Sequence, residues 1–135
     1  MPMLRRTSAI AGRIGLAAVV TVAGGATAAQ AQTSQSSSRN KAIARPMAAG
    51  RGWSGAQFRC LERLWARESG WNHRAGNRSG AYGIPQALPG HKMAVSGRDW
   101  RTNPRTQIAW GLGYIKQRYG SPCRAWGHFL SRHWY

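Results

Sequence analysis

All seven Trp, four Tyr and two Phe of this chain follow residue 52, as do both Cys, all four His and all three acidic residues. An aromatic-rich core can therefore be assembled only from residues 53–135. The first 52 residues must do something else.

Their first part has the layout of a secretory leader. Arg5, Arg6 and Arg13 precede an uncharged run, Ile14 to Val22, and Ala29-Gln30-Ala31 supplies the small residues of a cleavage site after Ala31. Ala26-Thr27-Ala28 is a second option. A membrane anchor needs about 20 strongly apolar residues, and the stretch to Ala29 is interrupted by Gly24, Gly25 and Thr27. The Arg5-Arg6 pair raises twin-arginine export, but Thr7-Ser8-Ala9 lacks the bulky apolar residues of that signal, so general secretion is favoured. Residues 1–31 are thus expected to be a signal peptide, with no membrane span after its removal. Residues 32–52 read as a flexible basic linker. The tract Thr33 to Ser38 has nothing to bury, Pro46, Gly50 and Gly52 follow it, and Arg39, Lys41, Arg45 and Arg51 add charge.

Secretion bears on the thiols. Cys60 and Cys123 are expected to pair with each other, as exported thiols do, and only one intramolecular pairing exists. In the chain-entropy model such a loop contributes roughly 4 kcal/mol. Neither cysteine has a Cys-x-x-Cys neighbour and the histidines have no close ligand spacing, so no metal is expected.

Twenty Lys and Arg stand against three Asp and Glu, a net charge of +17. That balance excludes an Asp/Glu metal cage and an acidic disordered chain, and 42% hydrophobic residues exclude complete disorder. It implies a polyanionic partner, whether nucleic acid, anionic lipid or an anionic wall polymer. Export ranks nucleic acid last.

Within residues 53–135, Ser54 and Gln57 form a capping-box pattern opening a helix that Gly70 ends. With Phe58 at zero on a 100° wheel, Leu61, Leu64 and Trp65 fall between about 240° and 340°, while Arg59, Arg63 and Arg67 form an outer face. Glu68 falls at about 280°, inside the apolar sector. A carboxylate there is costly when ionised, and the helix's negative end disfavours ionisation further. Both effects suit a general acid. The bland alternative is a buried capping or salt-bridging carboxylate. Glu62 points elsewhere and reads as a surface partner for arginine.

From Trp71 to Trp100 the helical period disappears among glycines and prolines, which predicts a loop with a short hairpin carrying Trp71, Tyr82 and Trp100. Asn103-Pro104 then opens a second helix, with Ile108, Leu112, Ile115 and Tyr119 as its buried stripe. Ser121-Pro122 opens a third, with Cys123, Trp126 and Leu130 facing inward. Trp65, Trp110 and Trp126 are expected to serve the core, while for Trp71, Tyr82 and Trp100 core packing and sugar contact are equally open.

A buried-face Glu followed by a glycine-rich aromatic loop suits glycosidic cleavage, which requires a protonated carboxyl at the leaving oxygen. A second carboxylate could come only from Glu62 or Asp99, and Asp99 reads foremost as a turn or capping residue. A mechanism with one carboxylate therefore stands beside one that uses Asp99.

Glu68-Ser69-Gly70-Trp71-Asn72 and then Ser79-Gly80-Ala81-Tyr82-Gly83-Ile84-Pro85-Gln86 resemble, in order, the Glu-Ser and Gly-Leu-Met-Gln motifs of soluble lytic transglycosylases. The stretch 53–135 is similar to the small secreted version found in actinobacteria and related to resuscitation-promoting factors. The resemblance implies a lysozyme-like α+β fold, mostly helical, and cleavage of peptidoglycan between N-acetylmuramic acid and N-acetylglucosamine. It implies Glu68 as the single acid/base, with no cofactor. It implies that Ser69 helps set the position of the Glu68 carboxyl and that Gly83, Ile84, Pro85 and Gln86 form the loop lining the cleft, with Ser69, Trp71, Ser79, Tyr82, Gly83, Ile84 and Gln86 as candidate substrate-binding residues. Ile84 and Pro85 replace the family's Leu and Met, and Ala125-Trp126 stands where an Ala-Tyr-Asn motif would be. The expected product is a 1,6-anhydromuramyl end. The expected partners of this monomer are glycan strands and anionic wall polymers outside the cell. A hydrolytic muramidase using Asp99, and a non-catalytic cationic wall binder, are the alternatives.

Overall fold

The computed structural model describes Gly24, Gly25 and residues 27–135. The n-region and apolar core of the expected leader lie outside the described residues. The described part contains α1 (Ala28–Ala49), α2 (Ala56–Ser69), a 3-10 helix (Gly90–Ser96), α3 (Pro104–Arg118) and α4 (Pro122–Arg132). No described helix is long and apolar enough to cross a membrane.

The two cap-then-proline signals form as read. The Asn103 side chain accepts from the Arg105 N–H ahead of Pro104, and the Ser121 side chain accepts from the Arg124 N–H ahead of Pro122. The Ser54/Gln57 box does not form. Gly55, in a positive-φ conformation, occupies the N-cap of α2 without a side-chain bond. Gln57 instead accepts from the backbone N–H of Cys123 at 3.0 Å, supplying a partner to the first turn of α4. The Cys60–Cys123 disulfide lies beside that bond, with the two Cα atoms 4.9 Å apart.

α2 buries Phe58, Leu61, Leu64 and Trp65, and α3 brings Ile108, Leu112 and Ile115 to the same core. The helices approach closely at Gly111, where a Cβ would stand 2.6 Å from the Trp65 ring. α4 is rotated from the expected phase. Pro122, Ala125 and Phe129 are its buried row, one residue behind the Cys123, Trp126 and Leu130 row, and Leu130 is 55% exposed.

Residues 32–49 are not a flexible spacer. They form most of α1, which packs on α2 and α3. Its buried residues are Asn40, Ala44 and Ala48, spaced by four along one face. Alanine lets the helices meet closely without an aromatic contribution. Asn40 Nδ2 donates to Trp71 O at 2.8 Å, and Arg45 lies 3.8 Å from Glu62 and over the Phe58 ring. Glu62 is thus an arginine partner, and that arginine belongs to α1.

The β content of the expected α+β fold is absent among the described residues. The expected hairpin reduces to isolated bridges between Gly76 and Tyr82 and between Tyr82 and Ala87. The loop folds over a second small core of Ala87, Met93 and Trp100, against which Tyr82 and Trp110 pack.

Candidate active site

Glu68 occupies the last turn of α2, and Gly70 ends the helix in a left-handed conformation. Trp71 follows with φ 61°, which is costly for a bulky residue. Its indole sits fully buried against Phe58 and Trp65 and donates to Glu62 O at 3.1 Å. Trp71 is therefore a core anchor at the chain reversal after Glu68, which accords with packing, one of the two roles left open for it.

The Glu68 side chain is half-buried, with no hydrogen bond or ion pair to other described residues. Burial pushes its pKa from 4.5 up to about 7, because nothing replaces the lost hydration of the charged form. A carboxyl held this way keeps its proton near neutrality and can also accept one back.

Ser69 fastens the opposite wall. Its hydroxyl donates to Ile84 O at 2.7 Å and contacts Trp65 O at 3.3 Å. The Ile84 N–H donates to Gln107 Oε1 at 2.9 Å. The Ile84 side chain is wholly buried, so it supports the loop from beneath. Gly83 has φ 78°, and a Cβ there would stand 2.5 Å from Gln107 Oε1. Both facts require glycine. Gln86 donates to Ala75 O and Gly83 O, which braces the loop with the amide the resemblance assigned to substrate.

Two hollows flank this loop. A small one of about 70 Å³ is lined by Pro85, Gln86, Trp110, Tyr114 and Tyr135 among others. Trp110, expected in the core, stacks on Tyr114 at 5.2 Å on that wall. An open groove of about 580 Å³ includes Asn77, Tyr82, His91, Trp100 and Arg101 in its lining. The Tyr82 hydroxyl donates to Arg101 O, and its ring meets Trp100 edge-on. Ser79, exposed beside this groove, donates to Asn77 Oδ1.

Asp99 is held as a helix-start residue. Its carboxylate accepts from Asn103 Nδ2 at 2.8 Å and Thr106 Oγ1 at 2.6 Å, and the bond from Thr106, then that from Asn103, holds its pKa below the usual carboxylate value.

Residues 54–131 match the family model of the transglycosylase SLT domain. The chain belongs to that family. No curated protein and no solved structure matches it. The SLT match spans Glu68, the loop that Ser69 holds and the disulfide. It supports an enzyme of the lytic transglycosylase class acting on cell-wall peptidoglycan.

Three residues of this SLT domain's surroundings escaped the sequence reading: Asn40, Gln107 and Tyr135. Gln107 was detectable. It is a fully buried polar residue on the apolar stripe of α3, the same kind of anomaly that singled out Glu68.

Proposed function

We propose that the chain is a secreted lytic transglycosylase that cleaves the bond between N-acetylmuramic acid and N-acetylglucosamine, with Glu68 as its single acid/base. Protonated Glu68 donates to the glycosidic oxygen as the bond from C1 to that oxygen breaks. The muramic acid C6 hydroxyl then attacks C1, and the Glu68 carboxylate takes its proton, regenerating the acid. The product is a 1,6-anhydromuramyl end, and no water is consumed. The observation that carries this reading is the half-buried, unpaired Glu68 carboxyl with a pKa near 7, set against a family-matched loop.

The hydrolytic alternative would employ Asp99. Its commitment to Asn103 and Thr106 favours the mechanism with one carboxylate. The leader-like residues 1–31 supply the route out of the cell, and the basic surface favours docking on anionic wall polymers. Mass spectrometry of peptidoglycan digested by the purified protein and by Glu68→Gln tests the reading. Anhydro-muropeptides formed by the wild type alone support it. Water-added reducing ends replace it with a muramidase, and soluble products from neither protein leave a wall-binding module.

A further inference from the structure

We propose that Tyr135 is a positioning residue for Glu68: its hydroxyl joins α2 to the loop opposite the acid and closes the space beneath the carboxyl to water. This inference rests on the reading of Glu68 as the acid. Trp65 Nε1–H donates to the Tyr135 hydroxyl at 2.9 Å, and that hydroxyl donates to Pro85 O at 2.6 Å. Trp65 lies three residues before Glu68, on the same face of α2. Pro85 follows Ile84, whose carbonyl Ser69 holds. The loop is thus tied to α2 twice, on either side of Glu68 in sequence: through Ser69 after it and through the phenol at Trp65 before it.

The phenol is also electrostatically close to the acid, since Glu68 charge is among the influences that disfavour ionising Tyr135. The ring is wedged edge-on against Tyr114 and obliquely against Tyr119. The titratable groups that face it are Glu68 on α2, Tyr114 on α3 and Tyr119 at its end; Lys92 shares the rim of the small hollow, and Arg118 and His128 pack on Tyr119 behind it. No acidic side chain other than Glu68 is in this group. Losing the hydroxyl would strip Trp65 Nε1 and Pro85 O of their partners among the described residues, and buried groups in that state recruit water. Water beside Glu68 would restore hydration to its charged form.

The test is a ¹³C NMR titration of the Glu68 side-chain carboxyl in wild type and Tyr135→Phe, alongside glycan turnover. The expected result is a midpoint lowered by about half a unit or more in the variant. A kcat reduced about tenfold at nearly constant KM is expected with it. An unchanged Glu68 midpoint overturns the proposal even where Tyr135→Phe is less stable. So does a defect confined to KM, which would make Tyr135 a substrate contact. Should Tyr135→Phe fail to fold, Trp65→Phe removes the link from the phenol to α2 while leaving the bond to Pro85 O, and is read by the same titration. A wild type that releases no glycan would instead sink the transglycosylase reading, with the titration still deciding the role of Tyr135.

Discussion

The hydroxyl of Ser69 reaches across to the carbonyl of Ile84 at 2.7 Å, so the residue next to Glu68 holds the loop that follows Gly83. The bond joins parts of the chain 15 residues apart, and it is part-buried. Replacing Ser69 by Ala leaves Ile84 O without this donor. The expected cost is about 1–2 kcal/mol of stability. Turnover should fall about tenfold as the wall loses its register with the carboxyl. Thermal melts and glycan release measured on the same preparation check both; unchanged turnover would separate the bond from catalysis.

Glu68→Gln should abolish turnover and raise stability in alkaline solution. The Glu68 pKa is about 7 in the fold and 4.5 as a free group, so the folded state holds the proton more tightly. Wild-type stability from this group is complete below pH 4.5 and declines as pH rises through 7. Glutamine lacks that decline. Because the carboxyl is half-exposed and screened, the gain at pH 8 should be about 1–2 kcal/mol, with none near pH 4. Melting temperatures across that range decide it, and parallel curves for the two proteins would contradict the assigned burial.

Asn40→Ala tests whether α1 belongs to the folded unit. Asn40 is buried and is the donor to Trp71 O, so its loss should cost about 1–3 kcal/mol. Ser34→Ala, on the exposed side of the same helix, should change stability by less than about 0.5 kcal/mol. Equal and negligible effects in urea melts would restore the picture of a free linker.

Asp99→Asn should leave turnover within about twofold, since the carboxylate serves the start of α3. Its pKa is lowered by bonds from Thr106 and Asn103, so its contribution to stability is present above its ordinary value and lost as pH falls through the lower folded one. The variant should therefore melt at lower temperature than wild type near neutrality, the gap closing in strong acid. A loss of activity comparable to that of Glu68→Gln would make Asp99 a participant in hydrolysis.

Signals carried by neighbouring residues were legible in the sequence, and those depending on distant partners were not. Asn103-Pro104, Ser121-Pro122 and Gly70 act within a turn of themselves, and each bounds a helix where expected. Gln57 had the right spacing for a cap, but its amide found Cys123 across the disulfide. α1 was hidden because its contacts come from Ala44, Ala48 and one Asn, which carry almost no hydrophobic pattern. Trp71 looked like a loop residue by position, yet Phe58 and Trp65 enclose it. At the site, the phase of Glu68 against its apolar neighbours was readable. The commitment of Gln86 to Ala75 and Gly83 was not, because no spacing rule reveals which carbonyl a glutamine will meet.

Gln107 has one further consequence. Its amide accepts from Ile84 N and donates to His73 O and Trp100 O, so three remote stretches of irregular chain converge on one side chain. Freezing irregular backbone costs about 1–2 kcal/mol per residue, and here that ordering is completed as the chain folds. On the proposed function, an arriving polysaccharide would meet a surface already set, and its contact energy would not be diverted into shaping it. The long segment between α2 and α3 works as preorganised scaffold, as stiff in purpose as the helices that flank it.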